Sequence, residues 1–104
     1  MSIYTIRITE PAKNDLIEIG RYITGELLEP AIAIKLVDKI GGVVLSLEEM
    51  PHRNTPVSDE RLASLGIRKQ LVENYIIFYK ISEARKIVTV IRILYAKRDW
   101  LALL

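Results

Sequence analysis

The sequence lacks cysteine altogether and has a single histidine among its 104 residues. Without cysteine there can be no disulfide framework, no thiolate nucleophile and no zinc–cysteine site. With His52 as the only imidazole, a multi-histidine metal site is excluded and a Ser-His-Asp triad is disfavoured. These absences remove several of the common catalytic and metal-binding classes before any motif is considered.

Long apolar runs are also absent, although half of the residues are hydrophobic. No stretch approaches the roughly 20 consecutive apolar residues of a membrane span. The first eight residues contain no basic segment followed by an apolar run, as a signal peptide would. We therefore expect a cytoplasmic protein that does not associate with membranes, and residues 1–104 are expected to form one domain.

The net charge of +2 conceals an uneven distribution. Residues 1–60 contain six Lys or Arg and ten Asp or Glu, a balance of −4, whereas residues 61–104 contain nine and three, a balance of +6. A basic C-terminal half suits a phosphate backbone or an acidic partner. It equally fits a solvated sheet surface with ordinary basic side chains.

Hydrophobic periodicity predicts the element order β-α-α-β-β-β. Thr9 is suited to cap the first helix, and Gly25 is suited to end it. The second helix contains Gly41-Gly42, where we expect close packing or a bend. The predicted bounds are a strand over 4–9, helices to about 25 and over about 30–47, a loop over 50–65, strands over 67–72, 75–82 and 87–95, and one helical turn over 99–104. This order predicts an α+β fold with a helical hairpin packed on a small antiparallel sheet.

The strand over 75–82 is apolar on both faces, which is unusual for an antiparallel sheet in a small domain. One face carries Tyr75, Ile77, Tyr79 and Ile81, and the other carries Ile76, Phe78 and Lys80. One of these two faces should pack against the helices. The other face is covered either by the C-terminal tail or by a partner chain, because a large apolar patch usually marks an interface.

Arg92 lies between apolar residues of the last strand, so it requires an anionic partner. If the strands form a meander, several cations converge on one side of the sheet. The cations concerned are Arg68, Lys69, Arg92, Lys97 and Arg98. The alternative is that Asp99 and Glu73 pair with some of them and that water solvates the rest.

Several segments share the pattern of one family of small proteins. They are TEPAK at 9–13, GIRK at 66–69, VENYIIFYKI at 72–81 and VIRILYAKRDW at 90–100. Together with the predicted element order, they resemble the RelE/ParE toxins of bacterial type II toxin-antitoxin modules. The resemblance covers almost the whole chain, and it implies the fold predicted above and a role in plasmid stabilisation or growth arrest.

The resemblance implies one of two activities. RelE-like members cut mRNA in the ribosomal A site with arginines, lysines and often a C-terminal tyrosine, whereas ParE-like members inhibit DNA gyrase. In a nuclease, Arg68, Arg92 and Arg98 would be the catalytic residues. However, Ile76 stands where RelE-like members carry a strand arginine, and the C-terminal tyrosine has no counterpart. These departures favour the ParE-like branch and gyrase inhibition, with a ribosome-dependent mRNA endonuclease as the alternative and a domain without toxicity as a third hypothesis.

The resemblance also implies a cognate antitoxin as partner, beside gyrase or the ribosome with its mRNA, and no metal or organic cofactor. We expect the antitoxin to fold a disordered segment on binding and to cover the apolar sheet face. The residues expected to bind the target or the antitoxin are Ile76, Phe78, Lys80, Tyr95, Lys97 and Trp100.

Overall fold

The computed structural model describes residues 3–104, which form an α+β fold around a four-stranded sheet of order β1-β4-β3-β2. The elements are β1 (Thr5–Ile8), α1 (Glu10–Arg21), α2 (Pro30–Ser46), α3 (Glu60–Ser64), β2 (Arg68–Val72), β3 (Tyr75–Ser82) and β4 (Ile87–Tyr95). A π-helical turn (Tyr22–Glu26) and two 3₁₀ turns (Pro51–Arg53 and Trp100–Leu103) complete them. The predicted fold class and the order β-α-α-β-β-β are confirmed, with the short α3 added inside the predicted loop.

The sheet is mixed, and the prediction that it is antiparallel throughout is wrong. β2, β3 and β4 form the predicted antiparallel meander. β1, however, pairs with β4 in parallel, with Thr5 opposite Ile87 and Ile8 opposite Val90. Short turns impose an antiparallel direction on neighbouring strands, whereas β1 and β4 are joined through the whole intervening chain, which imposes none. β4 is therefore a central strand with a different partner on each side.

Thr9 caps α1 as predicted, and its hydroxyl accepts a hydrogen bond from the amide of Ala12 at 3.3 Å. The buried stripe of α1 packs on the sheet and includes Ile19. The predicted stop at Gly25 is wrong, because the helix passes into the π-helical turn, which contains this glycine. The chain reverses at Leu28, which has a φ of 55°.

α2 returns antiparallel to α1 and buries Ala33, Ile40 and Val44 against the sheet. The close packing expected at Gly41-Gly42 is absent, since a Cβ at either position would meet nothing within 4 Å. The two glycines therefore lie next to open space, and the backbone of α2 does not approach a neighbour there.

The opposite face of the sheet is covered as well, so the expectation of an exposed apolar interface at Ile76 and Phe78 is wrong. Their exposed fractions are only 4% and 0%. The C-terminal turn covers them, with the ring of Trp100 centred 5.0 Å from that of Phe78. The remaining cover comes from α3 and the segments beside it, through Val57, Leu62 and Ile67. Of the two covers considered, the chain's own C-terminal tail is the observed one, and no partner can reach either side chain as placed.

Candidate functional site: a cleft and a groove on either side of the first helix

Arg92 is held by Asp15 of α1. Its Nε and Nη2 donate to the two carboxylate oxygens at 2.7 and 2.8 Å, and its Nη1 donates to the carbonyl of Leu103 at 3.2 Å. The side chains of Arg92 and Asp15 are only 21% and 11% exposed, and this hydrogen bond to Asp15 raises the pKa of Arg92. Arg92 therefore has the carboxylate that its position requires, but the partner is Asp15 and neither Asp99 nor Glu73.

Asp15 also completes the sheet, because β4 extends beyond the end of β1. The amide of Ile93 donates to the Asp15 carboxylate at 3.0 Å. One step earlier, Thr9 bonds the carbonyls of Val90 and Ile91 through its amide and its hydroxyl. The start of α1 thus supplies the hydrogen bonds that a longer β1 would have made.

Arg68 and Arg92 lie on opposite faces of the sheet. Arg68 is paired with Tyr79 in the β2–β3 ladder, and Arg92 is paired with Phe78 in the β3–β4 ladder. The guanidinium of Arg68 donates to the carbonyl of Asn54. The expected convergence of these two arginines on one side of the sheet is therefore wrong, while Lys69 shares the row of Phe78 and Arg92.

A cleft of about 810 Å³ lies between α1 and the C-terminal end of β4. We call it the tyrosine cleft, because Tyr22, Tyr75 and Tyr95 line it together with Arg98 and the Asp15–Arg92 pair. The rings of Tyr75 and Tyr95 meet edge to face, with centroids 5.8 Å apart. Burial raises the pKa of Tyr75 above its ordinary value of 10.0, so its hydroxyl remains a neutral hydrogen-bond donor at physiological pH.

An apolar groove of about 1050 Å³ lies on the other side of α1, between it and α2. Its lining includes Leu16, Ile17, Ile34, Val37 and Leu45, of which Ile17, Ile34 and Leu45 are exposed. This groove was not predicted, because hydrophobic periodicity indicates the buried stripe of each helix and not its exposed side. The available signal was the presence of Ile34 and Leu45 in α2 outside that stripe.

At the far end of the sheet, Glu83 joins three segments of the chain. Its carboxylate accepts hydrogen bonds from the hydroxyl of Tyr4 at 2.5 Å, from Lys86 at 2.8 Å and from His52. The hydrogen bonds from Lys86, Tyr4 and His52, in that order of effect, lower the pKa of Glu83 from 4.5 to about 2. The sequence indicated only that His52 lies in a loop, and this cluster was not foreseen.

The other predicted binding residues lie at different places. Lys80 is exposed on β3, and Tyr95, Lys97 and Arg98 are exposed at the end of β4, whereas Trp100 is half-buried against Phe78. Within residues 3–104, no helix is long and apolar enough to cross a membrane. Over the same range, no group of three or more His, Asp or Glu side chains is placed to hold a metal ion.

Solved structures share this fold, among them the three that follow. A chain described as "Chromosomal ParDE TA system from P. aeruginosa" has a TM-score of 0.75 and 21% identity, covering 91% of this chain and 98% of that chain. A chain of the toxin-antitoxin complex RelBE2 from Mycobacterium tuberculosis has a TM-score of 0.62 and 22% identity, with coverages of 93% and 97%. A mutant of E. coli toxin RelE in the free state has a TM-score of 0.67 and 12% identity, with coverages of 97% and 92%.

Sequence comparison adds the family. No match to a curated protein was found. A sequence model of the family described as "ParE toxin of type II toxin-antitoxin system, parDE" matches residues 6–100, which is most of the chain. Because this match extends from β1 into the C-terminal turn, the protein belongs to the ParE toxin family and is a toxin of a type II toxin-antitoxin system.

Proposed function

We propose that this toxin acts by binding and inhibiting DNA gyrase. The observation that carries the proposal is the pairing of Arg92 with Asp15. Cleavage of RNA requires cations that converge on one phosphate and groups that move two protons. In this chain Arg92 donates to Asp15 and Leu103, and Arg68 donates to Asn54 on the other face. The arrangement favours a toxin that acts by contact over one that cleaves a phosphodiester.

Position 76 supports the same conclusion. The resemblance to the family implies that mRNA-cleaving members carry an arginine there, whereas Ile76 is buried in the apolar layer beneath the C-terminal turn. A buried isoleucine cannot hold a phosphate. The match to the ParE family supports the same branch of toxins, for which the resemblance implies gyrase as the target.

The test compares two activities of the purified protein. We expect it to inhibit supercoiling of relaxed plasmid by gyrase, and to leave mRNA intact in a translation reaction that contains ribosomes. The antitoxin-bound protein is the control in both reactions. It should leave supercoiling at its normal rate and the mRNA intact. Cleavage of ribosome-bound mRNA together with unchanged supercoiling would establish the alternative, in which case Arg98→Ala should abolish cleavage without unfolding the protein.

We further propose that the cognate antitoxin places an apolar helix or strand in the groove between α1 and α2. A groove with exposed isoleucine and leucine side chains is a typical receptor for an amphipathic helix. This assignment moves the expected antitoxin contact from the sheet face of Ile76 and Phe78, which is buried, to the face of the helical hairpin.

Two isoleucines of α2 provide a matched pair for testing this contact. Ile34 lines the groove and is 63% exposed, whereas Ile32 is 53% exposed and lies outside the lining. We expect Ile34→Asp to weaken antitoxin binding by about tenfold or more and Ile32→Asp by less than about threefold. Isothermal titration with the purified antitoxin measures both. Equal losses for the two variants would contradict the assignment.

A further inference from the structure

Three strands place a row of basic and hydroxyl side chains on the sheet face opposite the helical hairpin. Thr89 of β4 pairs with Arg7 of β1 on one side and with Lys80 of β3 on the other. Paired residues share a face, and neighbouring strands are about 4.8 Å apart, so the stems of Arg7 and Lys80 are about 10 Å apart. Lys80 lies two positions after Phe78, on the face that the C-terminal turn covers. Arg7 and Lys80 are nevertheless exposed, so the cover ends before this row.

The neighbouring positions on this face are mostly polar as well. In the next row towards the β3–β4 turn, Ile87 pairs with Thr5 and Ser82. In the other direction, Lys69 pairs with Phe78 and is therefore a diagonal neighbour of Lys80. We call this surface the basic face, and it consists of Thr5, Arg7, Lys69, Lys80, Ser82, Ile87 and Thr89. None of the four strands contains an aspartate or a glutamate.

The three cations of the basic face are not neutralised within the chain. Arg7, Lys69 and Lys80 are exposed, and they form no ion pair with any residue from 3 to 104. Their charge is therefore available to an anion from outside the protein.

Glu83 follows β3 directly, but it does not cancel this charge. Its carboxylate already pairs with Lys86 and His52 and accepts the hydroxyl of Tyr4. Tyr4 belongs to the core on the hairpin side of the sheet. The carboxylate is therefore engaged on the side of the sheet opposite the basic face.

The segments that cover the rest of this sheet face add no net charge. In α3, the carboxylate of Asp59 caps the helix, and Glu60 is followed by Arg61. At the end of the chain, Asp99 follows the two cations of residues 97 and 98. Acids and bases are thus equal in number in these covers, and the excess of the basic face is left intact.

The two layers of the protein differ in the sign of their charge. Residues 10–49, which contain the helical hairpin, carry four Lys or Arg and eight Asp or Glu, a balance of −4. The rest of the chain carries eleven and five, a balance of +6. This separation turns the sheet side towards an approaching polyanion and the hairpin away from it.

The side chains of the basic face indicate which polyanion it fits. Arginine, lysine, serine and threonine are typical contacts to the phosphate and sugar oxygens of a duplex. A single strand is usually bound by aromatic side chains that stack on its bases, and a protein interface usually has an aromatic or apolar anchor at its centre. The basic face has no aromatic side chain, and its apolar member, Ile87, is half-buried.

We propose that the basic face binds the phosphate backbone of duplex DNA. The inference rests on the proposed function for its role, since gyrase holds duplex DNA and the face lets the toxin contact the enzyme and its DNA together. Backbone contacts carry no direct sequence information, so the affinity should not depend on the base sequence.

The salt dependence of binding tests the number of phosphate contacts. The probe is a fluorescein-labelled duplex of about 20 base pairs, and fluorescence anisotropy measures its affinity for the purified toxin. Three contacts predict that the logarithm of the association constant falls with the logarithm of the salt concentration with a slope of about −2.7. We expect Arg7→Ala and Lys80→Ala each to reduce this slope by about 0.9 and to weaken binding by about fivefold or more at about 50 mM salt.

Lys35→Ala is the matched control, because it removes the same charge from the other layer. Lys35 is exposed on α2 and forms no ion pair with any residue from 3 to 104. We expect this variant to change the affinity by less than about twofold and to keep the wild-type slope. Equal losses for Lys35→Ala and Lys80→Ala would show attraction by net charge alone and would overturn the basic face. Unchanged melting temperatures show that the variants are folded.

The remaining outcomes separate this inference from the proposed function. The anisotropy assay contains no gyrase, so it decides the basic face even if the wild type leaves supercoiling unchanged and the proposed function fails. Tighter binding of a single-stranded RNA of the same length would overturn the assignment to duplex DNA. In the supercoiling assay, the double variant of Arg7→Ala and Lys80→Ala should raise the concentration for half-inhibition by about fivefold or more. Unchanged inhibition by this variant would refute a role of the face at gyrase.

Discussion

Asp15 and Arg92, which are 77 positions apart in the chain, form a bidentate ion pair that joins α1 to β4. The same carboxylate accepts a hydrogen bond from the amide of Ile93, and the same guanidinium donates one to the carbonyl of Leu103. The pair therefore connects the helical hairpin, the sheet and the C-terminal turn. Removal of either side chain should affect all three.

Asp15→Ala should lower the free energy of unfolding by about 2–4 kcal/mol. It leaves the mostly buried guanidinium of Arg92 without its counter-ion and the amide of Ile93 without an acceptor. Urea denaturation followed by circular dichroism measures the change. Glu18→Ala is the control, because the Glu18–Arg21 pair is exposed and should contribute less than about 0.5 kcal/mol. Similar losses for the two variants would show that the buried pair is not structurally important.

Glu83 should make the protein sensitive to acid. Its pKa is lowered from 4.5 to about 2 in the folded state, so its contribution is complete above about pH 4.5 and is lost as the pH falls towards 2. We expect the melting temperature of Glu83→Gln to lie below that of the wild type at pH 7. The difference should shrink as the pH falls from 4.5 to 2. Glu49→Gln, at another exposed carboxylate, should follow the wild-type curve, and a constant difference for Glu83→Gln would contradict the prediction.

Tyr79→Phe should destabilise the protein by about 1–2 kcal/mol. The buried hydroxyl donates to the carbonyl of Pro51 at 2.7 Å and accepts a hydrogen bond from the side-chain amide of Asn54 (Nδ2) at 3.0 Å. Without it, both groups lose a partner inside the protein. Tyr95→Phe serves as the control, since Tyr95 is exposed and its stability change should stay within about 0.5 kcal/mol. Chemical denaturation of the two variants decides the matter, and equal stabilities would refute the role of the hydroxyl.

Trp100→Ala should expose the apolar sheet face that the C-terminal turn covers, which includes Ile76 and Phe78. The indole packs on Phe78, so its truncation should cost about 2 kcal/mol of stability and increase the fluorescence of a dye that binds apolar surface. Leu101→Ala changes the neighbouring residue, which is 42% exposed, and should have a smaller effect on both. Unchanged dye binding in Trp100→Ala would mean that α3 and its flanks cover the face without the C-terminal turn.

Local signals in the sequence predicted most of the fold. The bounds of β3 and β4, the cap at Thr9 and the C-terminal helical turn follow from alternation, capping and apolar spacing over a few residues. The short α3 was missed because Ser58 and Asp59 indicated a loop. Asp59 is in fact the cap of α3, and its carboxylate accepts the amide of Leu62 at 3.0 Å. The available signal was a capping aspartate, Asp59, with Glu60 in the first turn and the apolar Leu62 three residues after the cap.

The contacts of the site depend on residues that are distant in the chain, and periodicity does not encode them. The need of Arg92 for an anion could be predicted, because an arginine in an apolar strand must be neutralised. The identity of that anion could not, since Asp15 reaches Arg92 only through the parallel pairing of β1 with β4. The burial of Phe78 likewise depended on whether the last few residues fold back, which neither length nor composition decides.

The short β1 has a consequence for the behaviour of the free protein in solution. Beyond Ile8, β4 has an open edge, and such an edge can recruit a strand from another molecule and begin aggregation. Here the hydroxyl of Thr9 donates a hydrogen bond to the carbonyl of Ile91, and the carboxylate of Asp15 accepts one from the amide of Ile93. A carboxylate at this position blocks an incoming backbone sterically and electrostatically. The side chain that neutralises Arg92 therefore also protects the sheet against polymerisation at this edge.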